Sequence, residues 1–465
     1  MTESQPSTKS KRAHTYRGDA PPEIASQLAS GGRLSDDTAA VLFACQQAGQ
    51  LCFDARHGRW YLWCGSHWQH DEDGTVIERV RTLLRELMPD SDIRVHGIKM
   101  IHSVEHLART DPRLQTVGEF DPDPWLLGTP VGVVDLRDGT LRDARPDDRI
   151  SRLTGCSPDF DAACPRWLAF LDTCTQGDPH LVAFLQKLCG YALSGSTEHE
   201  FVFVLHGSGA NGKTRFLTVL REIFGDYFIA LSPETFLQSA HEQHPTGLAR
   251  LQGARLAAVS ELPANRAWNS QRVKDIASGE ITAARFMRQD FFEFKPVAKL
   301  LFVGNHRPRL QQVDEAERRR FRLIPFTHRV PEAQRDPDLA DKLRAEYPAI
   351  LAWMIAGAVR VHAEGFASMP TVVAEACREY FDESDTLAAW IDERVVFDPA
   401  FSTPAGVLQD DYQHWFEANG FDGRPMSTNE LKQRLVHDYG VRHARDMHGR
   451  RYRGLTLRSE QQQRD

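Results

Sequence analysis

Phe201-Val202-Phe203-Val204-Leu205-His206-Gly207-Ser208-Gly209-Ala210-Asn211-Gly212-Lys213-Thr214 is the stretch on which the fold turns. Residues 201–205 are apolar without alternation, the pattern of a parallel strand covered on both faces. Arg215 to Phe224 follows with helical spacing. The loop between them reads G-x-x-x-x-G-K-T in the strand–loop–helix setting that a phosphate-binding loop requires. Glycines let the backbone wrap phosphates without Cβ clashes, and the loop N–H groups and helix N-terminus face the anion. Gly207, Gly209, Asn211, Gly212, Lys213 and Thr214 are therefore the expected nucleotide-binding residues. Lys213 is expected to reach the β- and γ-phosphates, and the Thr214 hydroxyl to ligate Mg²⁺.

Outward from the loop, apolar strands and helices alternate from Phe201 to about Phe326, the signature of an α/β layer structure. Arg255 to Val259 is apolar and runs into Ser260-Glu261. Glu261 is the candidate carboxylate for polarising water and supporting Mg²⁺ through water. Ser260 stands where a second acid is often found, which leaves the division between those two roles open. Lys299 to Gly304 is a second apolar strand, ending at Asn305. An Asn there is either a turn residue or a polar sensor that orients the attacking water; its order after Glu261 favours the sensor. Glu317-Arg318-Arg319-Arg320-Phe321-Arg322 offers an arginine finger for a neighbouring subunit, with Arg319 or Arg320 ahead of Arg318. The alternative is ion pairing with Asp314, Glu315 and Glu317. Between acid and sensor, Ile281 to Phe294 reads as two strands around a tip carrying Arg285 and Arg288. Such a hairpin either grips the backbone of a nucleic-acid strand or is an ordinary surface turn.

The 465 residues allow two or three domains, and a net charge of −8 argues weakly against a general nucleic-acid coat while leaving room for local basic surfaces. Residues 1–33 are polar and rich in Ser, Thr, Pro, Gly and Arg, the composition of a disordered tail, in which Lys9 to Arg12 is either solvated or touches phosphate. Residues 34–195 form the region before the α/β core. Trp60, Tyr61, Trp63 and Trp68 there either pack a core or stack bases. Gly132 to Leu136 and Asp138 to Leu141 read as a hairpin turned at Asp138-Gly139. Eight cysteines include no C-x-x-C pair, so they read as reduced residues and not as a metal site or disulfide framework. The longest apolar run, Ala349 to Val359, is too short to span a bilayer, and the N-terminus has no apolar signal segment, so a cytoplasmic location is expected.

Taken together, Gly207 to Thr214, Ser260-Glu261, Lys274 with Ser278 to Ala283, Phe292 to Pro296, Gly304-Asn305-His306 and Arg319-Arg320 with Ile324-Pro325-Phe326 resemble the phage and plasmid primase-helicase family. Its ATPase part belongs to the superfamily 3 helicases, and the poxvirus primase-helicase is similar. Leu127, Gly132 to Leu136, Arg145 to Asp148 and Cys164 to Trp167 resemble the region before the helicase in that family. The resemblance implies an AAA+-like P-loop NTPase core over 196–381. It also implies ATP and Mg²⁺ as cofactors, and a homo-oligomeric, hexameric ring that moves along single-stranded and forked DNA in a bacterial host cell. In that scheme Lys213, Thr214, Glu261 and Asn305 come from one chain and the arginine from the next. Larger members carry a primase domain with an acidic metal site. Asp121-Pro122-Asp123 imitates such a pair but falls in the pre-helicase stretch, so no primer synthesis is expected, and a separate primase is a candidate partner.

Residues 384–465 read as a helix capped by Ser427 or Thr428 followed by a hairpin near His448-Gly449, a winged-helix-like pattern. From Arg424 to Arg458 there are nine Lys/Arg against three Asp/Glu. Arg445, Arg450 and Arg451 are the candidate DNA contacts, with Arg442 and Arg453 beside them; a solvated or protein-binding wing is the alternative. The function expected is an ATP-dependent ring helicase for phage, prophage or plasmid replication. An origin-binding or loading ATPase that melts DNA without processive unwinding would share every motif. A small-molecule kinase would not need an arginine array after a polar sensor.

Overall fold

The computed structural model describes residues 34–88, 97–116, 119–237, 246–261, 268–288, 290–305, 315–419, 425–446 and 449–458, with isolated positions 22 and 24. The tail expected over 1–33 otherwise lies outside them, as do Asp314, His306, Arg424 and His448. The chain divides into compact units at Ser157/Pro158.

In the first unit, helices Asp36–Gln47, Thr75–Leu87 and Ile98–Ala108 accompany an antiparallel sheet of β1 (Leu51–Asp54), β2 (Arg59–Trp63) and β3 (Trp68–His70). Phe43, Val80, Leu84 and Val104 are among the apolar side chains of their common core. A second sheet joins β4 (Leu126–Thr129), β5 (Gly132–Asp135) and β6 (Thr140–Arg142). The turn between β5 and β6 follows Asp138-Gly139 as expected, with Gly139 at φ +82. Trp60 and Trp68 are buried, their indole N–H groups donating to Glu105 and to the Pro146 carbonyl. Core packing accounts for both.

The second unit is built on a parallel sheet in the order β13-β7-β12-β9-β8. Its strands are β7 (Val202–His206), β8 (Phe228–Leu231), β9 (Leu256–Ser260), β12 (Lys299–Gly304) and β13 (Phe321–Pro325). The mixed α/β character expected of the chain is present. β7 and β12 are buried at every position, which is why their sequences show no alternation. The helix Lys213–Phe224 buries Phe216, Val219, Leu220, Ile223 and Phe224, one apolar stripe at helical spacing.

The dividing point differs from the boundary expected near residue 195. Helices Pro165–Thr175 and Pro179–Leu193 belong to the second unit, where the latter crosses the helix Tyr347–Glu364. A Cβ on Gly190 would lie 2.1 Å from the Ala358 amide nitrogen, so this crossing brings backbones together. The C-terminal end of Pro179–Leu193 is sealed by two buried cations from the sheet. Arg255 donates to the Leu193 carbonyl at 2.6 Å, and Lys299 donates to the Ser194 carbonyl.

Beyond the helix Thr371–Ser384, Leu387, Trp390, Leu408, Tyr412, Leu435 and Leu455 belong to a separate apolar core. Helices Thr386–Arg394, Ala405–Ala418 and Thr428–His437 surround it with β14 (Val395–Pro404), β15 (Arg442–Asp446) and β16 (Gly449–Leu457), paired antiparallel in the order β14-β16-β15. Ser427 caps Thr428–His437 in a reciprocal box with Glu430, the arrangement its spacing predicts.

Candidate functional site

β7 delivers the chain from the buried sheet into the loop 207–212, and Lys213 opens the following helix. Two glycines are demanded by space. Gly207 has φ +146 and a Cβ there would fall 2.0 Å from the Phe326 carbonyl oxygen; Gly212 has φ +90 and would meet Cys174 Sγ at 2.4 Å. Gly209 faces open space, so packing does not require it. Asn211 is buried, and its amide donates to the carbonyls of Ser208 and Phe326, closing the loop and tying it to the end of β13. That brace was not visible in the sequence, where Asn211 reads simply as one loop residue among others.

Lys213 Nζ is ringed by oxygens: Gly207 O at 2.7 Å, Asn211 Oδ1 at 3.0 Å and Asn305 Oδ1 at 3.2 Å. Burial lowers its pKa from the usual lysine value. Asn305 reaches this point because β12 lies beside β7 in register, Gly304 opposite His206. The result is an open cleft of about 430 Å³ at the helix N-terminus, lined by 209–215, Thr218 and Asn305. Arg215 and Thr218 were not among the expected residues. The signal was available for Thr218: it lies four residues from Thr214, on the same helix face. An ammonium, an amide and a helix N-terminus converging on one cleft can hold a polyphosphate.

Glu261 follows β9, the next strand past β12, and lies outside the lining of the cleft. It is exposed, has φ +60, and its amide donates to the Val303 carbonyl at 3.1 Å. Two strand spacings separate β9 from β7, about 10 Å. A carboxylate at that remove would need a bridging water to meet a metal held in the cleft. The Thr214 hydroxyl is exposed in the cleft itself.

The arginines lie at the other end of the sheet. The helix Glu315–Arg320 runs directly into β13, whose first residue, Phe321, pairs with Val202 at the start of β7. The loop 207–212 leaves the far end of β7, roughly 17 Å away along a five-residue strand. Arg318 lies over the Phe381 ring at 5.1 Å. Arg320 is buried, paired with Glu200 and bonded to the Ala316 carbonyl. The Arg319 side chain is 64 % exposed, with a single long contact of 3.4 Å to Glu200. The three arginines are therefore not equivalent, and none faces the loop of its own chain.

β10 (Thr282–Ala284) and β11 (Phe292–Phe294) form the expected hairpin. Its tip exposes Arg288, Met287 and Phe291, with Arg285 over the Phe291 ring at 4.7 Å. In the C-terminal sheet, Arg445 pairs with Arg450 and Arg442 with Arg453 across β15 and β16, and all four are exposed. Like charges placed opposite each other favour an anion between them. Arg451 is instead held by Ser402, through Oγ at 3.0 Å and the carbonyl.

Other candidates resolve into structure. Asp121 accepts from the Ser151 amide and hydroxyl, and Asp123 takes both bonds from Arg137 at 2.7 Å. Among the described residues no His/Cys/Asp/Glu cluster could hold a metal, and all eight cysteines are free. No helix among them is long and apolar enough to cross a membrane.

Residues 41–176 match the family described as D5 N terminal like, and residues 205–320 match a family of unknown function, DUF5906. "Putative helicase L207/L206" of Acanthamoeba polyphaga mimivirus is 25% identical over 345 residues, 68% of this chain and 35% of the relative. "Putative helicase 022R" of Frog virus 3 (isolate Goorha) is 23% identical, covering 75% of this chain and 44% of the relative. "Putative primase C962R" of African swine fever virus (strain Badajoz 1971 Vero-adapted) is 23% identical, covering 72% and 37%. Over about 70% of its length the chain is thus similar to viral proteins named putative helicase or putative primase. The chain spans less than half the length of those curated relatives. Among solved structures, the apo NrS-1 C-terminal region aligns with 92% of this chain and 100% of its own at 10% identity and a TM-score of 0.49.

Proposed function

We propose that this chain is an ATP- and Mg²⁺-dependent helicase of the superfamily 3 type that works on DNA as a homo-oligomeric ring. The observation that carries this reading is the triad of oxygens around Lys213 Nζ beside an open cleft at a helix N-terminus, with Asn305 as one of the three. Lys213 would exchange these oxygens for those of the β- and γ-phosphates. Bound Mg²⁺ would neutralise charge on the phosphate oxygens, held by Thr214 directly and supported from Glu261 through water. Asn305, released from Lys213, would orient the attacking water. Glu261 would accept its proton.

The separation of the arginines from their own loop favours completion by a neighbour. A guanidinium that cannot reach the phosphate in its own chain can do so only across an interface; Arg318 and Arg319 are both exposed, and Arg319 is the one of the two that does not lie over the Phe381 ring. The hairpin tip with Arg285 and Arg288 supports contact with the backbone of one DNA strand. The order of helices and strands in the C-terminal part supports a winged-helix reading, in which its paired arginines would meet duplex phosphates at a fork. A hexamer, a separate primase and the cytoplasm of a bacterial host belong to the same proposal.

The test is ATP hydrolysis by the full chain, with and without single-stranded DNA. Lys213→Ala is expected to reduce the rate by about 100-fold or more while leaving the melting curve unchanged. A Lys213→Ala protein that hydrolyses ATP normally would sink the reading.

A further inference from the structure

We propose that the largely buried ion pair between Lys274 and Glu317 transmits strand contact at the β10–β11 hairpin to the exposed Arg319, making both residues positioning residues for the DNA-stimulated part of hydrolysis. The inference rests on reading the hairpin as a DNA grip and Arg319 as the group supplied to a neighbour. It adds the physical link between them.

Lys274 Nζ lies 3.5 Å from Glu317 Oε1. The Glu317 side chain is 3% exposed and that of Lys274 19%. Lys274 belongs to the helix Ser270–Ser278, which ends at Gly279 with φ +72; β10 begins only three residues later, at Thr282. Glu317 belongs to the helix Glu315–Arg320, two residues before Arg319. One helix thus leads straight into the hairpin and the other carries the arginines, and a charge pair shielded from water joins them. Separating such a pair strands a buried charge, so the helices resist moving apart. The neighbouring arginines add direction. Arg318 rests on Phe381 and Arg320 on Glu200, whereas Arg319 projects outward. A shift of the first helix, driven by DNA against Arg285 and Arg288, would therefore be delivered to the second, where Arg319 is 64% exposed and meets Glu200 only at 3.4 Å.

The experiment compares wild type, Lys274→Met, Glu317→Gln and Lys274→Arg as full chains. ATP hydrolysis is measured with and without oligo-dT, together with oligo-dT affinity by anisotropy and thermal melting. Wild type is expected to be stimulated by oligo-dT. Lys274→Met and Glu317→Gln should keep the basal rate and DNA affinity within about twofold, yet lose about fivefold or more of the stimulation; Lys274→Arg should retain it. Either folded variant keeping the wild-type ratio overturns the coupling while leaving the ATPase reading intact. A basal rate that falls as far as the stimulated one makes the pair merely structural and overturns it too. A wild-type chain that ignores oligo-dT also overturns the coupling. Hydrolysis that survives Lys213→Ala instead removes the underlying ATPase reading, and the coupling with it.

Discussion

The two ends of the parallel sheet treat their cations in opposite ways. At the end where β7 and β12 finish, Lys213 borders an open cleft, and its three oxygen partners come from a loop and from Asn305, a residue beyond the strand. At the end where β9, β12 and β13 begin, Arg318 and Arg319 stay exposed, but the other cations are held against the protein itself. Arg255 and Lys299 close a helix terminus, Lys299 lies 4.9 Å from the Tyr191 ring centroid, Arg320 pairs with Glu200, and Arg322 lies over Phe201 at 3.9 Å. Burial therefore does not mark a functional cation. What distinguishes Lys213 is that its partners line a cavity where an anion could replace them. Those of Lys299 are the Ser194 carbonyl at a helix C-terminus, whose dipole favours positive charge, and the Val297 carbonyl just before its own strand.

The sharpest way to break this contrast is at the arginines. Arg319→Ala is expected to lower DNA-stimulated ATP turnover about 1,000-fold, with nucleotide binding and melting temperature unchanged. Arg320→Ala is expected to act on the fold, costing about 2–3 kcal/mol in chemical denaturation, below a fully buried pair because Glu200 is a third exposed. Equal kinetic losses with unchanged stability in both variants would erase the distinction between them.

Lys299 offers a second cut. Burial first, and then the charge of Arg255, hold its pKa well below the usual 10.5. The unfolded chain therefore binds the proton more tightly than the folded one, and this residue contributes an increase in stability as pH climbs from the depressed value toward 10.5. Lys299→Met removes that contribution. Relative to the variant, wild type should gain stability across that window in urea titrations at stepped pH, and parallel curves would show that Lys299 is not buried as described. At neutral pH the variant should lie within about 1 kcal/mol of wild type, since loss of a buried charge offsets two unbonded carbonyls.

The smallest effect is expected at the C-terminal hairpin. The double substitution Arg445→Ala/Arg450→Ala should weaken forked-DNA binding about tenfold at moderate salt and make the salt dependence shallower by about two counterions. Arg451→Ala should change binding less, because that guanidinium already serves Ser402. A larger loss from Arg451 than from the opposed pair would reverse this assignment.

How much could be read in advance follows from the range of the interactions involved. Apolar runs identified β7, β9 and β12, and a basic tip between short apolar strands identified the β10–β11 hairpin, because strand patterning and turn chemistry act over a few residues. Lys213 and Asn305 were both named from motif order, and the sheet places them 3.2 Å apart through the parallel register of β7 and β12. The division at 157 was missed because the helix Pro179–Leu193 is committed by contacts with the helix Tyr347–Glu364, far along the chain.

Amino-acid order alone was enough for the loop that faces an anion, the strand that precedes it and the local cap at Ser427, since each depends on neighbours within one or two turns. It put Arg319 and Arg320 ahead of Arg318 but could not separate those two. The environments of the three are set by Phe381 and Glu200, which arrive from distant segments. Nor could it show that Asn211 braces the loop against Phe326 or that Lys274 meets Glu317, because charge and hydrogen-bond partners separated by dozens of residues become neighbours only when the sheet is assembled.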